Sequence, residues 1–302
     1  MKKIKIWTGL VYLIVLSVSL YFLFSKFSLQ QILSYTFVKS TASNLLEQRD
    51  YYKPFNYPWA FEAYKTQQQM HWMPEEVNLA DDLKDFREKL TEPNKRLLSQ
   101  IFRFFTQADV DVCCGYAKHY LPTFGQPEVR MMLSAFAAME AVHQEAYSLL
   151  LDTLEFDESE YQMFSKIQAM SDKHDYLTDF NMETPFEMAK TMAVYSGFTE
   201  GVQLFSSFAI LLNFPRHNLM KGMGQIVTWS IRDETLHVEG MTNLFREFIR
   251  ENPTLWDDKL KYEIYCAAER VVDLEDAFID TCFKDADIPD LTADEVKQYI
   301  RY

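Results

Sequence analysis

The chain has 302 residues, of which 48% are hydrophobic and 25% charged, with a net charge of −14. This excludes general disorder, and the acidic balance excludes a phosphate-backbone partner, so no nucleic-acid binding is expected. Only eight glycines serve the whole chain, too few for the turns of sheets and barrels, and Gly222-Met223-Gly224 has Val227 where the third glycine of a dinucleotide loop would fall.

The N-terminus differs from the rest. Ile6 to Phe24 is an uncharged, mostly apolar run long enough to span a membrane, preceded by Lys2, Lys3 and Lys5. Two readings stay open at this stage: an uncleaved membrane anchor, or an atypical extension over residues 1–45 that is irrelevant to the fold. A soluble composition begins near Leu45, so residues 46–302 read as one domain. Residues 49–76, rich in Tyr, Trp and Pro, read as an irregular arm. Helices follow at about 78–90, 94–121, 127–156, 186–213, 217–251 and 254–284, with a shorter one near 158–175. Thr184-Pro185-Phe186-Glu187 and Thr292-Ala293-Asp294-Glu295 each combine an N-cap with a capping-box Glu. The expected fold is all-α. Four cysteines without CxxC spacing, two of them adjacent at Cys113 and Cys114, fit a reducing compartment.

One short pattern recurs. Glu140-Ala141-Val142-His143 and Glu234-Thr235-Leu236-His237 are both Glu-x-x-His within long predicted helices, so each Glu shares a face with its His. The same faces carry Met132, Phe136, Tyr147 and Leu150 in one helix and Val227, Met241, Leu244 and Phe248 in the other. Charged groups on an apolar stripe cost several kcal/mol or more unless compensated. A buried ion-pair network is one solution. A dinuclear metal centre is another, and it needs one carboxylate from each of two further helices. Glu200 supplies one, on a stripe with Ala193, Gly197, Leu204 and Ser207. Asp109 supplies the other, aligned with Phe102, Phe105, Val112, Cys113 and Tyr116, whereas Asp111 points about 200° away and reads as solvent-facing. Four carboxylates balance two divalent cations, and an oxygen-rich set with one nitrogen per metal favours iron or manganese.

With this ordered set, the sequence resembles the small, radical-generating subunit of class I ribonucleotide reductase. The resemblance runs from about Tyr51 to Phe283 and rests on Asp109, Glu140-x-x-His143, Glu200, Arg232-Asp233-Glu234-x-x-His237 and Trp72-Met73-Pro74-Glu75-Glu76. It implies a ferritin-like helix bundle holding two iron ions, or manganese, at Asp109, Glu140, His143, Glu200, Glu234 and His237. It implies O₂ activation and a stored tyrosyl radical at Tyr147, one turn beyond His143, with Phe208 and Leu204 available nearby. Trp72 and Asp233 stand where the family places its transfer route through His143. A large catalytic subunit, a homodimer and a cytoplasmic location are the further implications; the location argues against membrane contact through residues 6–24. The family's chain continues beyond the helix begun at Ala293 into a docking tail, whereas this sequence stops at Tyr302. The alternative function is another ferritin-like, carboxylate-bridged di-metal oxidase.

Overall fold

A computed structural model describes residues 45–286 and 288–301. The apolar run 6–24 and the boundary of the proposed extension lie outside these residues. Among the described residues no helix is long and apolar enough to cross a membrane, and the sole β feature is an isolated bridge between Ile288 and Leu291. All four cysteines are free thiols.

The helices, in chain order, are α1 (Pro58–Met70), α2 (Ala80–Lys84), α3 (Glu92–Gly115), α4 (Pro127–Thr153), α5 (Gln168–Leu177), α6 (Pro185–Val194), α7 (Phe205–Arg216), α8 (Lys221–Glu251), α9 (Asp258–Phe283) and α10 (Ala293–Tyr299). Wider π-helical turns extend α2 over Asp85–Lys89, α3 over Tyr116–Tyr120 and α6 over Tyr195–Thr199. Glu158–Lys166 is a 3₁₀ segment rather than part of a helix running to 175. Local chemistry sets several starts. The hydroxyl of Thr184 accepts from the Glu187 N–H with Pro185 at the first helical position, and Thr292 and Glu295 form a full capping box.

Two expectations fail locally. The supposed arm 49–76 contains α1, because Pro58 starts a Gly-free run of helix formers to Met70. The expected helix 186–213 is not continuous; the π-turn and the turns at 200–204 separate α6 from α7. There the backbone bonds reach five residues, from Glu200 N–H to Tyr195 O and from Gln203 N–H to Phe198 O. Such turns concentrate at functional positions, and this one ends at Glu200.

Apolar burial supplies the driving force. α3 buries Leu97, Ile101, Phe102, Phe105, Ala108 and Val112, each worth roughly 1.5–3 kcal/mol when fully covered, apart from the smaller alanine. α4 and α8, the two Glu-x-x-His helices, approach closely at Gly240. A Cβ there would lie 2.7 Å from Phe136 Cε2 and 3.2 Å from Met132 Sδ, so only glycine leaves room for those side chains. The N-terminus of α8 is capped from another element. Asp82 accepts from Gly222 N–H (2.9 Å) and Met223 N–H (2.8 Å), and Asp85 accepts from Met220 N–H (2.9 Å). Carboxyl groups suit the positive end of a helix.

Candidate metal centre

Both motif histidines are fully buried, and so are Glu140, Glu200, Glu234 and Asp109. The stripes read from sequence are the ones the fold buries: Met132, Phe136, Tyr147 and Leu150 on α4, and Val227, Met241, Leu244 and Phe248 on α8. His143 Nδ1 lies 3.4 Å from Glu140 and 3.1 Å from Glu234. His237 Nδ1 lies 2.9 Å from Glu140 Oε1 and 3.4 Å from Glu234 Oε2. The two motifs therefore meet in one cluster.

Ligand atoms of Asp109, Glu140 and His143 lie within 4.8 Å of one another, as do those of Glu140, Glu234 and His237. Glu140 belongs to both trios. Glu200 belongs to neither. Its Oε1 accepts from the Tyr116 hydroxyl, while its Oε2 is buried without a hydrogen bond. The same holds for Asp109 Oδ2, both oxygens of Glu140, Glu234 Oε2 and His237 Nδ1. Buried polar atoms are almost always satisfied. Here a whole set is orphaned in one place, close in distance but not in hydrogen-bonding geometry, and that is the donor set that fits metal ions.

The surrounding bonds fix which nitrogen faces the cluster. Asp233 accepts from Trp72 Nε1–H at Oδ2 (2.8 Å) and from Gln67 Nε2 at Oδ1 (3.1 Å). Gln67 then turns its carbonyl oxygen to His237 Nε2 at 3.1 Å, so that nitrogen carries the proton. His143 Nε2 faces Asp233 Oδ2 at 3.2 Å. Each imidazole thus donates from Nε2 and points Nδ1 inward, the arrangement in which an outer hydrogen bond orients a metal-binding histidine.

Electrostatics agree with a site built for cations. Burial, with Glu140 close by, lifts Asp109 well above the usual carboxylate range, and burial with Glu234 and Glu140 does the same to Glu200. Burial works against charging His237, but the facing Glu140 and Glu234 outweigh it and push the imidazole up to about 10. Asp233 is lowered because the bonds from His143 and Trp72 outweigh burial. Without metal, protons hold this cluster together.

Tyr147 is buried one turn beyond His143, with its ring against Phe105 at 5.1 Å. Phe208 packs behind Phe105 at 5.3 Å. The Tyr147 hydroxyl donates to Ser230 Oγ at 3.4 Å. Burial and the nearby Asp109 raise the phenol above its ordinary value, so it stays protonated. Trp72 stacks on His143 at 6.0 Å and touches Trp229 at 5.1 Å.

Asp111 corrects the sequence reading. It is 7% exposed, not solvent-facing, because α5 covers that side of α3. Its carboxyl lies 2.6 Å from His174 Nδ1 and accepts from Gln107. Gln67, Tyr116 and Ser230 are the contacts that sequence reasoning missed. Gln67 sits in the segment read as irregular, and the other two carry no motif of their own.

The family described as ribonucleotide reductase, small chain, matches residues 49–302. A probable ribonucleoside-diphosphate reductase small subunit of Invertebrate iridescent virus 6 is 43% identical, covering 86% of this chain and 82% of that protein. Its counterpart in Invertebrate iridescent virus 3 is 45% identical, covering 85% and 73%. Among solved structures, the ribonucleotide reductase R2 subunit from Clostridium botulinum superposes with a TM-score of 0.75 at 23% identity, covering 82% of this chain and 79% of its own. That likeness establishes the ferritin-like helical fold. The chain belongs to the small-chain family of ribonucleotide reductase.

Proposed function

We propose that this chain generates and stores a tyrosyl radical for ribonucleoside-diphosphate reduction by a large catalytic partner subunit. The observation that carries this reading is the set of orphaned, buried ligand atoms on Asp109, Glu140, Glu200, Glu234 and His237, which with His143 fits two divalent cations. Asp109, Glu140, His143, Glu200, Glu234 and His237 are the residues that would hold the pair, with Glu140 common to both trios of close ligand atoms. Iron is the favoured occupant and manganese the alternative, given one nitrogen per metal and otherwise oxygen. When bound, the pair supplies the reduction of O₂ that draws one electron from a nearby phenol.

The residues of the chain do the rest. Tyr147 is the donor: it is neutral, so losing an electron is coupled to losing its hydroxyl proton. Phe105 and Phe208 exclude water and reductants around it. Asp233 holds both Trp72 and His143 at its Oδ2, tying the cluster to an oxidisable ring. We further read the protein as a homodimer working in the reducing environment of the cytoplasm, with residues 46–302 as the functional domain.

The test combines elemental analysis with electron paramagnetic resonance after addition of Fe²⁺ and O₂. Wild type is expected to bind two metals per chain and to show a tyrosyl signal. Tyr147→Phe is expected to keep the metal and lose the signal. A full-strength signal in Tyr147→Phe would refute the assignment.

A further inference from the structure

We propose that the buried ion pair of Lys173 and Glu275 is a positioning device that fixes the broken backbone after Glu200 and so aims the Glu200 carboxyl at the cluster, an inference that rests on the metal site proposed above. Neither residue is among the six proposed ligands. Both are fully buried, on α5 and α9. A buried pair of charges is often no more stabilising than apolar residues of the same volume, so burial alone gives no reason for this one.

Its contacts supply the reason. The Lys173 ammonium lies against Glu275 Oε1 and donates to Gln203 O at 3.2 Å. Glu275 Oε2 accepts from the Ser206 hydroxyl at 2.6 Å. The pair therefore grips the chain twice, once within the turns at 200–204 and once in the first turn of α7. Gln203 depends on that grip. Its side-chain amide is buried and makes no hydrogen bond at either end. Its backbone holds it instead, with the N–H donating to Phe198 O at 3.0 Å and the carbonyl accepting from Lys173.

The ammonium is itself pinned. It lies 3.9 Å from the ring centre of Phe104 on α3 and 4.2 Å from that of Phe278 on α9. Three residues before Gln203, Glu200 has one oxygen on the Tyr116 hydroxyl and the other without a partner. An unbroken helix would set the direction of Glu200 through its own ladder of bonds. Here the ladder is interrupted, and a side chain from another helix satisfies a buried carbonyl in its place.

The test replaces the pair with apolar residues of similar volume, Lys173→Met and Glu275→Leu in one chain, which strands no charge. Amide exchange in metal-free protein reads the turn, and Mn²⁺ titration, with the free ion counted by electron paramagnetic resonance, reads the site. Amides of 201–206 are expected to exchange about tenfold faster relative to those of α8. Mn²⁺ is expected to bind about tenfold more weakly. In a Glu200→Ala background the double change should weaken Mn²⁺ binding no further, because the pair acts through Glu200. Ser206→Ala, which removes only the grip on α7, should speed the same exchange about fivefold. Unchanged exchange or unchanged Mn²⁺ affinity in the double variant overturns the proposal, as do losses that add to that of Glu200→Ala. If the double variant does not fold, unchanged exchange in Ser206→Ala overturns it. Failure of the wild type to bind Mn²⁺ counts against the metal site proposed above, and the metal-free exchange still decides whether the pair holds the turn.

Discussion

Gly240→Ala tests how the two motif helices are held together. In an unconstrained helix interior this change stabilises by about 1 kcal/mol. Here the added Cβ meets Phe136 at 2.7 and 2.8 Å, against at least 3.4 Å for ordinary contact. The colliding atoms belong to a rigid ring, itself packed on the His237 imidazole at 4.3 Å and near Tyr116 at 6.1 Å. Overpacking of this kind costs roughly 1–3 kcal/mol, so it offsets the propensity gain and leaves a net loss of up to about 2 kcal/mol. For a chain of this size that corresponds to a fall in Tm of up to about 8 °C. The displaced ring also pushes His237, so metal affinity should fall with stability. Thermal unfolding of metal-free protein, paired with Fe²⁺ titration, measures both. A variant that is more stable than wild type and binds metal unchanged would refute the close-approach argument.

The raised Asp109, Glu200 and His237 make metal binding a proton-releasing event, so affinity should fall as pH is lowered; calorimetry in buffers of different ionisation enthalpy counts the protons. For the metal-free protein the sign is opposite: the His237 contribution is complete below its unfolded value near 6.5 and is lost as pH rises through about 10, so denaturant midpoints should decline on that side. Lys173 and Glu275 form a fully buried ion pair, with the ammonium also 3.9 Å from the Phe104 ring centre; Lys173→Met strands the carboxyl and should cost about 3–5 kcal/mol in chemical denaturation. A loss below about 1 kcal/mol would show that water reaches Glu275. Ser230→Ala removes the hydrogen bond to Tyr147 and should shift the g-tensor of its radical without changing metal content; an unaltered spectrum would mean that the 3.4 Å contact is not made in the radical state.

Periodicity made most of the site legible. Asp109 could be separated from Asp111 because α3 is regular through both positions, and the six proposed ligands are all buried. The same logic misjudged Asp111, since a helix stripe says which side is apolar but not that α5 will cover the other side with a histidine. Glu200 was located on a helix that is not there as drawn. Its burial survives because the π-turn and the turns after it keep Ala193, Glu200, Leu204 and Ser207 all inside. Gln67 was invisible for a different reason: three consecutive glutamines at 67–69 look alike in sequence, and only the fold selects the first to bridge Asp233 and His237. Ser230 likewise acquires meaning only from a neighbour far along the chain.

The cap on α8 has a mechanical consequence. Helical side chains turn by about 100° per residue, so a one-residue slip of α8 would carry Asp233, Glu234 and His237 off the cluster together and swing Trp229 away from Trp72. Asp82 and Asp85 grip the first N–H groups of that helix from outside it, and the Arg232 bond to Met70 O holds it again further along. Residues that look like an ordinary helix start therefore set the angular phase of half the metal site, and a change in the short stretch between Pro215 and Lys221 would be transmitted to chemistry several helical turns away.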